Sequence, residues 1–216
     1  MDRPGLIFDL DGTLVDSLPG IAGSLNRALE GLKLPTHTRK DVRDFIGNGS
    51  LELVRRALPA GSDLAETGDK AFKEDYAVTW PDGTYPYTGI PELLNDLAGQ
   101  GFRLAVLSNK PHPFTVEIVE KLFPNVTFDL VLGQREDVPK KPHPEAALQI
   151  VRQWNTTPEN CRFIGDSTVD LATAKAAKIP SIAVLWGYHD KEPLIAAGAD
   201  FFAHEIADIA PILGIA

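Results

Sequence analysis

The chain has 216 residues, with 21 Lys+Arg against 30 Asp+Glu, a formal net charge of -9 and a single cysteine. A hydrophobic content of 44% with 24% charged residues describes a soluble globular protein with enough material for a sizeable core. The excess of carboxylates excludes nucleic acid and anionic membrane surfaces as electrostatic partners, and the lone Cys161 excludes a disulfide framework or a thiolate metal site.

The first residues, Met1-Asp2-Arg3-Pro4-Gly5, carry neither the basic segment nor the apolar stretch of a signal peptide, and the chain is read as cytoplasmic. A short apolar run, Leu6-Ile7-Phe8, reads as a strand. The next 70 or so residues read as helices only. These are Ile21 to Leu32, Lys40 to Ile46, Leu51 to Leu58 and Leu64 to Trp80, with breaks at Gly31, Pro35, Gly47-Asn48-Gly49, Pro59-Ala60-Gly61 and Pro81-Asp82-Gly83. From about residue 88 onward apolar runs alternate with helical periodicity. The runs are Leu104 to Leu107, Leu130 to Leu132, Phe163-Ile164, Ile182 to Trp186 and, more weakly, Phe201-Phe202. The helices are Pro91 to Leu97, Phe114 to Leu122, Pro144 to Trp154 and Val169 to Ala177. Runs without polar alternation suit strands buried on both faces. The pattern predicts an α/β protein with a doubly wound, Rossmann-like parallel-sheet core and an inserted all-helical cap. The expected domains are a discontinuous core, 1–14 and 87–216, and a cap, 15–86.

Open parallel sheets bind ligands beyond the carboxyl ends of their strands. Asp9-Leu10-Asp11-Gly12-Thr13 follows the first run, Ser108-Asn109-Lys110 follows Leu104 to Leu107, and Gly165-Asp166-Ser167 follows Phe163-Ile164. Asp9, Asp11 and Asp166 therefore form a carboxylate cluster that needs a compensating cation. Oxygen-rich and lacking His or Cys, the cluster suits a hard cation, with Mg2+ the expected cofactor. Gly12 lets the backbone approach a ligand closely, and the turn amides after Asp9 could cradle phosphate oxygens.

Four segments in order, Asp9-Leu10-Asp11-Gly12-Thr13, Ser108-Asn109, Lys141-Pro142 and Gly165-Asp166-Ser167-Thr168-Val169-Asp170, resemble the motifs of the haloacid dehalogenase-like phosphohydrolase superfamily. The helical insertion after the first motif resembles its helical-cap subclass. Within that subclass Asp9 to Ser17, Ile46-Gly47-Asn48-Gly49 and Lys141-Pro142-His143-Pro144-Glu145 look most like phosphoglycolate phosphatases. The resemblance implies hydrolysis of a small phosphate monoester, phosphoglycolate first, through an aspartyl-phosphate on Asp9. It implies a metal held by the Asp9 side chain, the main-chain oxygen of Asp11 and the Asp166 carboxylate. Asp11 would protonate the leaving alcohol and then deprotonate water. Ser108 and the Asn109 amide would hold the phosphoryl group, and Lys141 would neutralise its charge. Asp170 would support the metal shell, and Asn48 would contribute to specificity from the cap.

Other signals point less sharply. Asp16-Ser17 is either an N-cap or part of the hinge between core and cap. Lys110 is expected to be solvated, and His112, His143 and His204 to be surface or loop residues. Tyr76, Trp80, Tyr85 and Tyr87 are expected to pack the cap and its return linker. Rival functions are a phosphosugar mutase or pyrophosphatase of the same superfamily. A phosphorylated receiver module is disfavoured by length and by the insertion after the first strand, and dinucleotide binding by the lack of a Gly-x-Gly-x-x-Gly turn. The assembly is expected to be a monomer or homodimer.

Overall fold

The computed structural model describes residues 3–215. In chain order it contains β1 (Gly5–Phe8), β2 (Val15–Asp16), α1 (Leu18–Gly31), α2 (Arg39–Phe45), α3 (Ser50–Ala57), α4 (Ala65–Thr79), β3 (Tyr85–Pro86) and α5 (Ile90–Gly99). There follow β4 (Arg103–Pro111), α6 (His112–Leu122), β5 (Leu130–Gln134), α7 (Glu145–Gln153), β6 (Cys161–Gly165) and α8 (Thr168–Ala177). The chain closes with β7 (Ser181–Val184), α9 (Lys191–Ala197), β8 (Phe201–Ala203) and α10 (Ile209–Ile212). The backbone divides into two compact units, one running to Leu14 and resuming at Pro86, the other spanning Val15–Tyr85.

The first unit is a six-stranded sheet in the order β5-β4-β1-β6-β7-β8. Every recorded ladder in it is parallel. Leu6, Ile7 and Phe8 are buried completely or nearly so, as are Leu104, Ala105 and Val106 on the neighbouring strand. Burial on both faces explains why these strands read as unbroken apolar runs. On one face Ile7, Ala105, Leu107 and Phe163 pack with Ala147, Ile150, Val151 and Trp154 of α7 and its end, and with Ala174 and Ala177 of α8. Cys161 belongs to this cluster, and burial pushes its thiol up to about 11, which makes it an inert core residue.

Phe8 lies opposite Val106 of β4 and Ile164 of β6. Asp9 follows Phe8 directly, whereas Ser108 and Asp166 stand two residues beyond Val106 and Ile164, so the predicted site residues leave the three central strands near the same end of the sheet. β4 does not stop at Leu107 as the apolar run suggests. It continues through Ser108, Asn109 and Lys110 to Pro111, with its register against β5 shifting between Leu107 and Pro111. β7 ends earlier than expected, at Val184, leaving Leu185 and Trp186 in the following loop.

The second unit is built from α1 to α4. α1 carries Pro at its first turn, where the missing N–H costs nothing, and the Asp16 carboxylate accepts from Leu18 N at 3.1 Å. α2 opens on a capping box between Thr38 and Asp41. Arg27 of α1 meets Asp75 of α4 at 2.7 Å, and Ser24 meets Thr79 at 2.9 Å. Phe72 and Tyr76, one turn apart, stack at 5.4 Å and are buried with Trp80. Asn48 lies in the turn between α2 and α3, flanked by Gly47 and Gly49 at φ 112° and 87°. Two expectations need correction. The segment is not purely helical, because β2 and β3 pair as a two-stranded sheet. Tyr85 does not pack, being 54% exposed with its hydroxyl donated to the Asp82 carbonyl.

Candidate active site

Asp9 is the first residue beyond β1, and its amide donates to the Ile164 carbonyl at 2.9 Å, an extension of the parallel ladder. This bond fixes its backbone beside β6. Its Oδ1 accepts from Leu10 N at 2.7 Å and meets Lys141 Nζ at 2.8 Å. Asp166 is the first residue beyond β6. Its two oxygens accept from the Thr13 hydroxyl at 3.3 Å and from Tyr188 N at 2.7 Å.

Asp170 stands at the third position of α8 and completes a capping box with Ser167. One oxygen accepts from Ser167, and the other meets Lys141 Nζ at 2.6 Å. The same carboxylate thus caps the helix and pairs with Lys141. Asp9, Asp166 and Asp170 each offer an oxygen within 4.8 Å of the others.

Three buried carboxylates face one buried ammonium here. Burial, reinforced by the charge of Asp170 and only partly offset by Lys141, pushes the Asp9 carboxyl up to about 7. Burial and the charges of Asp170 and Asp9 raise the Asp166 carboxyl well above the ordinary range. Burial alone would lower Lys141, but the charges of Asp170 and Asp9 outweigh it and hold the ammonium above the ordinary lysine range. Such a cluster carries more negative charge than its protein surroundings neutralise. With oxygen donors only, it fits a hard divalent cation.

The remaining predicted residues frame this centre. Ser108 is buried, and its hydroxyl accepts from Lys110 N at 3.2 Å. Asn109 brackets the main chain of Lys141, its Nδ2 donating to the Lys141 carbonyl and its Oδ1 accepting from Lys141 N, both at 2.9 Å. Its side chain thus supports Lys141. The Asp11 side chain is not part of the three-carboxylate group; it turns instead to Lys110, whose Nζ lies 2.9 and 3.1 Å from its two oxygens. Lys110 is therefore buried and paired, not solvated. Gly12 has φ 84°, and a Cβ there would sit 2.3 Å from Asp166 Oδ2. His143 and His204 are exposed, while His112 is half-buried and its Nδ1 accepts from Gly133 N.

Sequence reasoning missed the loop after β7. Gly187 comes so close to the centre that a Cβ would lie 2.2 Å from Asp166 Cβ and 2.5 Å from the Gly12 carbonyl. Trp186 donates its indole N–H to the Thr13 carbonyl at 3.1 Å. The rule that ligands gather beyond strand ends could have found this loop, because it leaves β7 on the same side as Asp166.

Comparison with known proteins agrees with this geometry. The family model for haloacid dehalogenase-like hydrolases matches residues 6–184. The phosphoglycolate phosphatase of Salmonella paratyphi A (strain ATCC 9150 / SARB42) is 34% identical over 233 residues, covering 98% of this chain and 92% of that protein. The phosphoglycolate phosphatase of Escherichia coli (strain K12) is 33% identical over 236 residues, covering 99% and 94%. A crystal structure from Haemophilus somnus 129pt, of a predicted phosphoglycolate phosphatase, superposes with a TM-score of 0.87 at 30% identity and covers 98% of each chain. Among the described residues no helix is long and apolar enough to cross a membrane.

Proposed function

This chain belongs to the haloacid dehalogenase-like hydrolases and is a phosphatase, and from that premise we propose that it hydrolyses phosphoglycolate through a phosphorylated Asp9. The observation that carries the reading is the buried group of Asp9, Asp166 and Asp170, with Lys141 bridging Asp9 and Asp170. Asp9, the Asp11 carbonyl and Asp166 would hold Mg2+. When bound, the ion supplies Lewis-acid polarisation and screens the repulsion between a carboxylate and a phosphate dianion.

Asp9 attacks phosphorus in line as the ester bond breaks. The Ser108 hydroxyl and the Asn109 amide hold a phosphoryl oxygen. Lys141, fixed by Asn109 and Asp170, neutralises charge on Asp9 and on the phosphoryl group. Asp11 gives a proton to the leaving oxygen and then takes one from the water that cleaves the acyl-phosphate, assistance worth roughly 10²–10⁴-fold. An acid at this position favours an ester over a halide substrate, since a halide leaves without a proton. Selectivity among esters is assigned to the helical unit, with Asn48 as the residue to exchange.

The test is a panel of phosphate esters incubated with Mg2+, using the wild-type protein and Asn48→Ala. Release of inorganic phosphate, fastest from phosphoglycolate, is expected, with preference altered in the variant. Formation of an isomerised sugar phosphate in place of inorganic phosphate would instead identify a mutase.

A further inference from the structure

In the proposed mechanism Asp11 presents one carboxyl group to two different proton partners in succession, so the orientation of that carboxyl matters. Lys110 is the group that holds it. Its Nζ contacts both carboxylate oxygens, at 2.9 and 3.1 Å, and the side chains of the pair are 5% and 11% exposed. An ammonium in contact with both oxygens holds the Asp11 carboxyl through two charge-assisted hydrogen bonds.

Lys110 is itself anchored at both ends of its backbone. Its amide donates to the Ser108 hydroxyl at 3.2 Å, and its carbonyl accepts from the Thr115 hydroxyl at 3.2 Å. The continuation of β4 past Leu107 sets Lys110 two residues from Ser108, within reach of its hydroxyl. One strand end thus carries a hydroxyl for the phosphoryl group and an ammonium for the acid.

We propose that Lys110 is a positioning residue that orients the Asp11 carboxyl toward the leaving oxygen and then toward the attacking water. The proposal rests on the reading of Asp11 as the proton donor and acceptor. In the first step the Asp11 carboxyl O–H protonates the leaving oxygen while the ester P–O bond breaks and the Asp9 Oδ–P bond forms, releasing a neutral alcohol. In the second step the Asp11 carboxylate takes a proton from water while the new O–P bond forms and the Asp9 Oδ–P bond breaks. This returns Asp9 as a carboxylate and releases inorganic phosphate.

The test uses leaving-group dependence, because an aryl phosphate such as p-nitrophenyl phosphate departs without protonation whereas an alkyl phosphate does not. kcat/KM reports events up to release of the alcohol, so it isolates the first step. In Lys110→Met, kcat/KM for phosphoglycolate is expected to fall roughly 10- to 100-fold, part of what general acid catalysis supplies, and that for p-nitrophenyl phosphate by less than about threefold. Lys110→Arg, which keeps the charge, is expected to recover part of the loss.

A double variant, Lys110→Met with Asp11→Asn, removes both members of the buried pair and avoids leaving either charge alone. Its kcat/KM is expected to equal that of Asp11→Asn, since the lysine acts only through the acid. Equal losses for both esters in Lys110→Met, or a further loss in the double variant, would overturn the role of Lys110 while leaving that of Asp11 intact. Equal losses for both esters in Asp11→Asn itself would overturn the reading of Asp11 as acid, and the role of Lys110 with it.

Discussion

Asp9 and Asp166 are buried together with Asp170, and the Lys141 ammonium bridges Asp9 and Asp170. With Asp9 raised from 3.8 to about 7, the metal-free folded protein holds a proton that the unfolded chain would release. That contribution to stability is complete below the unfolded value and is lost as pH rises through the folded one. A bound cation removes the penalty, so Mg2+ is expected to raise Tm by several degrees at pH 8 and by clearly less at pH 5. Equal shifts at the two pH values, read by calorimetry, would contradict this account of the cluster. Gly187 tests the packing around the same carboxylate. Gly187→Ala must displace Asp166, so Mg2+ affinity is expected to fall roughly 10- to 100-fold in a titration, and an unchanged affinity would show that the loop can yield. At this scale Asp9, Asp11 and Asp166 stood out because carboxylates beyond apolar strands are costly to bury unpaired, whereas Lys141 came from the resemblance of Lys141-Pro142 to a family motif. Lys110 was not legible: its partner is 99 residues away in sequence, and nothing local separates a buried lysine from a solvated one.

The elements place these side chains through features of differing visibility. The apolar runs were sufficient to predict a parallel sheet but not its strand order, in which β1 lies between β4 and β6. The end of β4 was misjudged because Ser108, Asn109 and Lys110 are polar, although the strand runs through them. Its polar end is the part assigned to the site, so apolar character fails as a guide there. α9 and the β2–β3 pair escaped notice because each is short and held by tertiary contacts, where local propensity says little. In the helical unit the apolar spacing was sufficient to place α1 to α4 within a few residues. Phe72 is central to that packing, being 4% exposed and stacked on Tyr76. Phe72→Ala is expected to cost about 3–5 kcal/mol in equilibrium urea unfolding, and a cost under about 1 kcal/mol would mean that the α4 face repacks readily.

Across the whole molecule the charge of -9 works electrostatically against a polyanionic partner but not against a small anion. Net charge describes the field at long range, whereas a carboxylate centre filled by a divalent cation is locally attractive to a phosphate. Asp9, Asp166 and Asp170 gather beyond the ends of neighbouring strands and at a helix start, so on the proposed function part of the acidic excess would recruit the cation. The central claim is that the phosphoryl group passes to Asp9. Rapid acid quenching of the Mg2+-loaded protein during turnover of phosphoglycolate, followed by peptide mass analysis, tests it directly. A gain of one phosphoryl group on Asp9, lost on hydroxylamine treatment, is expected, with turnover in Asp9→Asn lower by on the order of 10⁴–10⁶-fold. Phosphorylation of a different residue, or near-normal turnover by Asp9→Asn, would contradict it.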